Sequence, residues 1–469
     1  MWTQRDQIQA YQFLRRRLVS ALVSADANHP VSPGRRLVLG TVIGVAVALL
    51  ITAVFGVIGL LKPSGGKDWL AGGKVIVEEE TGARFILGEE GTLHPVLNYA
   101  SARLLAGGDG SATVKVPAKN LAKAGRGARV GIPGAPDSLP GKERLLTSPW
   151  ISCSRTSRDQ PTDAEPATSV LLGATATGRP LAAGEGLLVR LPGGERYLIS
   201  SGHRFRLSPE AGAALGYDRR VPIVVSSRWL NTVPAGRDLD FVEVDGAGRK
   251  GPRVGVRDTE IGQVLSVAGT SSPGYYLVRA EGLTPITQTE AALIMQAPAN
   301  AAAQVSSGGG QTIEVSAADV AAAGLAADAG TAGGADPAGY PDRIPVAVEV
   351  NGDTVAVCAE GDGSGSAKVT IGASAPLPAG ARPQPVAVGD GRTADEVYVP
   401  PSGGAVLAEQ PSGTVYVLTD LGTKYPVASG EALAALGYGA VPKLPVSAGL
   451  LALVPSGPAL DPAAAAGFG

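Results

Sequence analysis

Leu37–Leu61 is a run of 25 residues without a charge, in which Thr41 and Thr52 are the only polar side chains. As a helix it reaches roughly 37 Å, enough to cross a ~30 Å hydrocarbon core with some tilt. A buried helix of a soluble domain would show a polar stripe, and this run has none. A cleaved signal peptide would begin nearer the start and end in small residues. Here 36 residues come first and Lys62-Pro63 follows. The run is an uncleaved membrane anchor.

Its flanks set a direction. Residues 1–36 carry Arg5, Arg15, Arg16, Arg17, Arg35 and Arg36 against Asp6 and Asp26, whereas Lys62 and Lys67 after the span are soon offset by Asp68 and Glu78-Glu79-Glu80. The excess of arginine predicts a cytosolic N-terminus, with the rest of the chain outside the cytoplasmic membrane. Residues 37–469 then hold 34 basic and 40 acidic residues. That balance disfavours nucleic acid as a partner.

The cytosolic segment has its own pattern. Ile8, Tyr11, Leu14, Leu18 and Leu22 fall at helical spacing between Asp6 and Ser24, and Arg15-Arg16-Arg17 are expected to face largely away. Such a helix can lie on anionic lipid or dock its stripe on a partner, and docking is the preferred expectation. His29-Pro30 and Pro33-Gly34 are expected to break it before the span.

The outer part repeats itself. Glu210–Asp240 aligns without gaps on Glu431–Asp461, with 15 identities in 31 positions, among them Leu215-Gly216-Tyr217 against Leu436-Gly437-Tyr438. A short apolar strand and a turn precede each copy: Tyr197-Leu198-Ile199 with Gly202, and Tyr416-Val417-Leu418 with Gly422. Weaker cousins start at Phe85-Ile86-Leu87 and Tyr276-Leu277-Val278. Each unit reads as strand, turn, strand, short helix. Ala112–Ala118 also resembles Gln311–Ala317, and both alternate with period two. The two halves therefore read as a tandem duplication about a pseudo-two-fold axis. With 65 Gly, 36 Pro and 4% aromatics, β-rich cores of Val, Leu, Ile and Ala are expected rather than a helical bundle.

The two cysteines, Cys153 and Cys358, fall at corresponding points of the halves, in a compartment that permits oxidation, and are expected to pair. Two cysteines exclude a multi-Cys metal cluster, and no His-x-x-x-His or Glu-x-x-His pair is present. Ser64–Gly73 reads as a stalk, Ala297–Gly339 as a region with a flexible loop, and Ala463–Gly469 as too small for a domain. The chain divides into 1–36 (cytosolic helix and basic segment), 37–61 (span) and 62–80 (stalk). The outer halves are 81–255, with repeat lobes near 84–107 and 197–240, and 256–469, with lobes near 276–298 and 416–461.

The opening Arg5-Asp-Gln-Ile-Gln-Ala-Tyr-Gln-Phe-Leu14-Arg15-Arg16-Arg17 with one span, Phe85–Leu105, the Gly216-Tyr217 and Gly437-Tyr438 repeats and the separated cysteines resemble the EccB family of actinobacterial type VII (ESX) secretion. The resemblance implies a membrane core complex with EccC, EccD and EccE, an associated mycosin protease, and self-association in the complex. It also implies a mixed α/β, β-rich outer domain with four repeat lobes around a central β domain, and a structural or assembly role.

Family members are sometimes described as ATPases, but no P-loop is present. Gly66-Lys67-Asp68, Gly73-Lys74-Val75 and Gly141-Lys142-Glu143 lack the Ser/Thr and the upstream Gly, and Gly361-Asp-Gly-Ser-Gly365 and Gly125-Arg-Gly127 read as turns. No Gly-x-Ser-x-Gly elbow appears. No catalytic residue, cofactor site or metal site is assigned. His94 and His203 are expected to be surface or packing residues and Glu78-Glu79-Glu80 a solvated run. An anchored extracytoplasmic ATP hydrolase is the alternative, and a wall-binding receptor a third.

Overall fold

The computed structural model describes residues 3–24, 33–61, 67–88, 91–108, 112–147, 150–161, 163–175, 177–267, 274–306, 308–326, 338–361, 365–386 and 391–467. Helix α1 (Gln4–Ser24) begins where the Asp6 carboxylate accepts from the Thr3 N–H at 3.1 Å and the Thr3 hydroxyl at 2.7 Å, half of a capping box. Helix α2 (Pro33–Leu61) contains the apolar run. Pro33-Gly34, expected to break the chain, instead form its first turn, where the missing proline N–H would have had no intrahelical partner. His29-Pro30 lie outside the described residues. Within α2, Val38–Val57 is long and apolar enough to span a membrane, and nothing in the monomer buries it.

The first body unit starts earlier than a stalk would allow. A 3-10 turn, Lys67–Leu70, buries Trp69 against Ile76, Phe85, Leu93, Val116 and Leu121. Strands β1 (Val75–Glu78), β2 (Arg84–Leu87) and β3 (Leu93–Pro95) pair antiparallel. Helix α3 (Tyr99–Ala106) returns the chain to β4 (Thr113–Val116), which lies parallel to β1, and α4 (Ala118–Leu121) follows. Residues 67–80 thus belong to the unit; 62–66 lie outside the described residues.

After three central strands, β5 (Trp150–Ser157), β6 (Ala167–Leu172) and β7 (Arg179–Pro180), comes a second unit of the same design. It holds β8 (Glu185–Arg190), β9 (Arg196–Ser200), β10 (His203–Leu207), α5 (Pro209–Ala214), β11 (Ile223–Val224) and α6 (Ser227–Leu230). Its β9–β10 hairpin turns on Ser201-Gly202, both at positive φ (49° and 78°), the backbone that a two-residue hairpin on a right-twisted ribbon requires. The third unit holds β12 (Val264–Val267), β13 (Gly274–Arg279), β14 (Gly282–Ile286), α7 (Gln288–Met295), α8 (Ala301–Ser306), β15 (Ile313–Val315) and α9 (Ala317–Ala323). Much of the segment expected to contain a flexible loop is therefore helix and strand. The segment is rich in alanine, which is the best helix former. Residues 327–337 lie outside the described ones.

Strand β16 (Val346–Ala347) adds to β8; β17 (Thr354–Gly361), β18 (Ala367–Gly372), β19 (Gln384–Pro385) and β20 (Glu396–Tyr398) complete the central sheet. The fourth unit comprises β21 (Ala405–Gln410), β22 (Val415–Leu418), β23 (Lys424–Pro426), α10 (Gly430–Ala435), β24 (Leu444–Ser447), α11 (Ala448–Ala452) and α12 (Pro462–Ala466). All four units show one strand order, third-second-first-fourth, with the fourth strand parallel to the first. In each, the helix after the third strand is capped by a polar side chain: Asn98, Ser208, Thr287 and Ser429.

The seven-stranded central sheet runs β19-β20-β6-β5-β17-β18-β7. One of its faces packs on two units in a crossed manner. The second unit's Leu187, Val189, Ile199 and Trp229 lie on Val355, Val357 and Val369 of β17 and β18. The fourth unit's Leu407, Leu418 and Leu450 lie on Trp150, Val170 and Leu172 of β5 and β6. Units one and four share a core through Ala100, Leu104, Leu433 and Leu436; units two and three share one through Leu207, Leu215 and Leu293.

Candidate functional site

The stripe of α1 stands open in the monomer: Ile8, Tyr11, Leu14, Leu18 and Leu22 are 57–80% exposed. Phe13, 64% exposed, lies off the stripe and adds apolar surface that the spacing did not single out. Arg16 and Arg17 turn away from the stripe, but Arg15 does not. It stands seven residues from both Ile8 and Leu22, two turns in each direction, and so shares their face. A cation inside an apolar stripe narrows what can cover it to a surface that supplies an anion or a carbonyl. Arg35 and Arg36 lie in the first turns of α2, and their side chains are outside the described residues.

Cys153 and Cys358 meet at the centre of the body. They are directly opposed on antiparallel β5 and β17, and their sulfurs are bonded at 2.12 Å. Both are buried, on the sheet face that also carries Ile151, Leu171, Ala356 and Tyr398.

Polar contacts join parts of the body that are far apart in sequence, and the sequence pattern did not single them out. The Tyr217 hydroxyl donates to the Pro345 carbonyl at 2.6 Å, and the Tyr438 hydroxyl donates to the Pro140 carbonyl at 2.7 Å. Tyr217 thus reaches the segment ahead of β17, and Tyr438 the segment ahead of β5. Burial pushes both phenols well above their usual pKa. The Leu-Gly-Tyr identity of the aligned segments was the available signal. Arg103 of α3 donates to the carbonyls of Ala435 (3.4 Å) and Leu436 (3.1 Å), closing the C-terminal end of α10 with a cation. Arg228 forks onto both oxygens of Asp395 at 3.1 and 2.9 Å, tying the second unit to the residue that leads into β20. At the other shared core, Glu290 is raised by burial against the pull of Arg237 and Arg279.

The remaining candidates have structural partners. A His94 ring nitrogen lies 2.9 Å from the Ala128 carbonyl, and the buried His203 lies 3.1 Å from that of Ser201. Lys74 donates to the Asp68 carbonyl at 3.0 Å. Glu80, read as solvated, accepts from the Ala118 N–H at the start of α4 at 2.8 Å. Among the described residues no group of three or more His, Cys, Asp or Glu could hold a metal ion.

A helix long and apolar enough to span a membrane, an amphipathic helix and a body of like sheets around a central one define the class, a membrane-associated protein built of repeated sheet units. The chain belongs to the EccB family: the family model described as "Type VII secretion system ESX-1, transport TM domain B" matches residues 1–467. It is 29% identical over 301 residues to the ESX-1 secretion system ATPase EccB1 of Mycobacterium tuberculosis, across 62% of this chain and 61% of that protein. It is 31% identical over 305 residues to the ESX-5 secretion system ATPase EccB5 of the same organism, across 62% of this chain and 59% of that protein. These matches span about three fifths of the length of the curated relatives. Among solved structures it resembles a chain of an intact ESX-5 inner membrane complex, with TM-score 0.65 and 26% identity over 99% of this chain and 95% of that one. It also resembles the EccB3 dimer from the ESX-3 core complex, with TM-score 0.65 and 25% identity over 84% of this chain and 100% of that one.

Proposed function

We propose that this chain is a structural and assembly subunit of a type VII secretion membrane complex, supporting protein export across the cytoplasmic membrane. The observation that carries this is the similarity, over 99% of its length, to a chain of an intact ESX-5 inner membrane complex. In this proposal α2 anchors the chain with α1 in the cytosol and the body outside, as the six arginines before the span favour. EccC-, EccD- and EccE-like subunits and a mycosin-like protease are its partners, and it self-associates. We further propose that the body is a tandem duplication, each half contributing two lobes and part of the central sheet. Supporting this are the shared strand order of four sheets, the crossed packing on the central sheet, and the reciprocal tyrosine contacts. Affinity purification in mild detergent, with identification of co-purifying membrane proteins, tests the assembly role; recovery of the chain alone would overturn it. ATP hydrolysis is a second reading, favoured by the names of the relatives. ATP turnover by the purified chain, lost in a point-mutant control and after heat inactivation, would establish it.

A further inference from the structure

We propose that the first unit bears a phosphate-binding face that rests on the anionic lipid headgroups of the leaflet from which α2 emerges. The face begins with a local excess of charge. Residues 112–130 contain Lys115, Lys119, Lys123, Arg126 and Arg129 and no acidic residue. They form β4, α4 and the turn after it. Lys119 and Lys123 stand four residues apart, which puts them on one side of the α4 turn. Together with Trp69, Leu70, Asn120 and Ala124 they line a groove of about 630 Å³. Leu70 is exposed at its lip. Arg126 lies over the Phe85 ring at 4.5 Å. Lys115, Lys119, Lys123 and Arg129 are exposed and make no ion pair among the described residues. Carboxylates border the face on one side: Asp68 precedes Trp69, and Glu78, Glu79 and Glu80 stand at the end of β1 beside β4, Glu80 accepting from the Ala118 N–H.

The fold does not need these cations, because the third unit builds the same elements without them. Arg126 and Leu325 make the same bridge, to Leu93 and Leu283, the strand residues that follow each second hairpin turn. At that offset Lys115, Lys119, Lys123 and Arg129 correspond to Glu314, Ala318, Ala322 and Asp328. The first unit carries five cations where the third carries Glu314, Asp319 and Asp328 and no cation. The unit that differs is the one tethered to the bilayer. Leu61 ends α2 and Lys67 begins the turn that forms the groove, so six peptide steps hold the groove within about 20 Å of the span's end. The tether therefore lets the groove reach the headgroups themselves, where a negative surface attracts lysine over a Debye length of about 8–10 Å. An exposed leucine beside the lysines adds an apolar foot of the kind that interfacial contacts use.

The test uses the full chain, oxidised, in nanodiscs of phosphatidylcholine alone or with one third phosphatidylglycerol. Lysines are acetylated briefly and quantified by mass spectrometry. We expect Lys115, Lys119 and Lys123 to label at least about three-fold more slowly in the anionic discs, and the difference to vanish in molar salt. Exposed Lys250, ahead of β12, and Lys368, in β18 of the central sheet, should label equally in both. K119A/K123A installs the residues that the third unit already tolerates, and should abolish the protection of Lys115. Equal labelling in the two discs would overturn the proposal. So would equal protection by inorganic phosphate added to neutral discs, which would mark a free-anion site. Protection seen only in the detergent-extracted complex would mark a protein contact and overturn it as well. Both leaflets have the same composition, so this outcome is separable from failure of the proposed orientation or assembly role.

Discussion

Tyr217 and Tyr438 sit at matching positions of the aligned segments, and each sends its hydroxyl to a proline carbonyl more than 100 residues away, that of Pro345 and of Pro140. A carbonyl ahead of proline's successor needs that donor, since burial has removed water. Y217F or Y438F should each lower stability by about 1–2 kcal/mol, read as a shift in denaturant midpoint at unchanged slope. The sign of the pH effect follows from burial. Both phenols are harder to ionise in the folded chain than in the unfolded one, where they titrate near about 10. Their contribution is complete below that value and is lost as pH rises through and beyond it, because only the unfolded chain gains by releasing protons. Stability should fall above about pH 10, and less steeply in the Y217F/Y438F variant. Equal alkaline slopes in both proteins would remove these tyrosines from the explanation.

Helix α1 presents the clearest test among the elements. Leu14 and Leu18 are 60% exposed and central to a stripe that one helix cannot bury alone. L14D/L18D places two unpaired charges in any contact that covers it, each costing several kcal/mol. The complex should be lost on purification while the body melts at its usual temperature. An intact complex with normal secretion would shift the stripe's role to lipid. How much was legible also divides by element. The span, the α1 stripe and the hairpins β9–β10 and β22–β23 were readable because their signals are local: an unbroken apolar run, a helical period, a turn glycine. The first strand of each unit escaped, since β1 and β8 earn their place by pairing with a fourth strand tens of residues later. The ranges near 84–107 and 197–240 therefore begin too late. The helix Ala301–Ser306 was not legible for a different reason: it contains nothing but small residues and Gln304 and Val305, so no periodicity marks it. The charged clasps at Arg103 and Arg228 join residues more than 160 positions apart, which no local pattern reports.

For the whole molecule, the Cys153–Cys358 bond closes a loop of 205 residues across the middle of the central sheet. In the chain-entropy model such closure stabilises by up to about 5 kcal/mol. C153S/C358S should unfold at correspondingly lower denaturant, and reductant should weaken the native chain but leave the variant unchanged. Free thiols found in unreduced, denatured protein from its own compartment would count against both the bond and the outer location. A reporter fused after Gly469 tests that location directly: activity is expected only outside the cytosol, and cytosolic activity would reverse the proposed topology.

The first and fourth units share a core, and α12, close to the end of the chain, lays Ala465 into it beside Ala100 and Leu104. The second and third units and the central sheet lie between α3 and α12 in the sequence, so this seam is made by some of the longest-range contacts in the body. Such contacts repay the entropy of loop closure only once the units between them have folded. Until the seam closes, Ala100 and Leu104 leave apolar surface open to other chains.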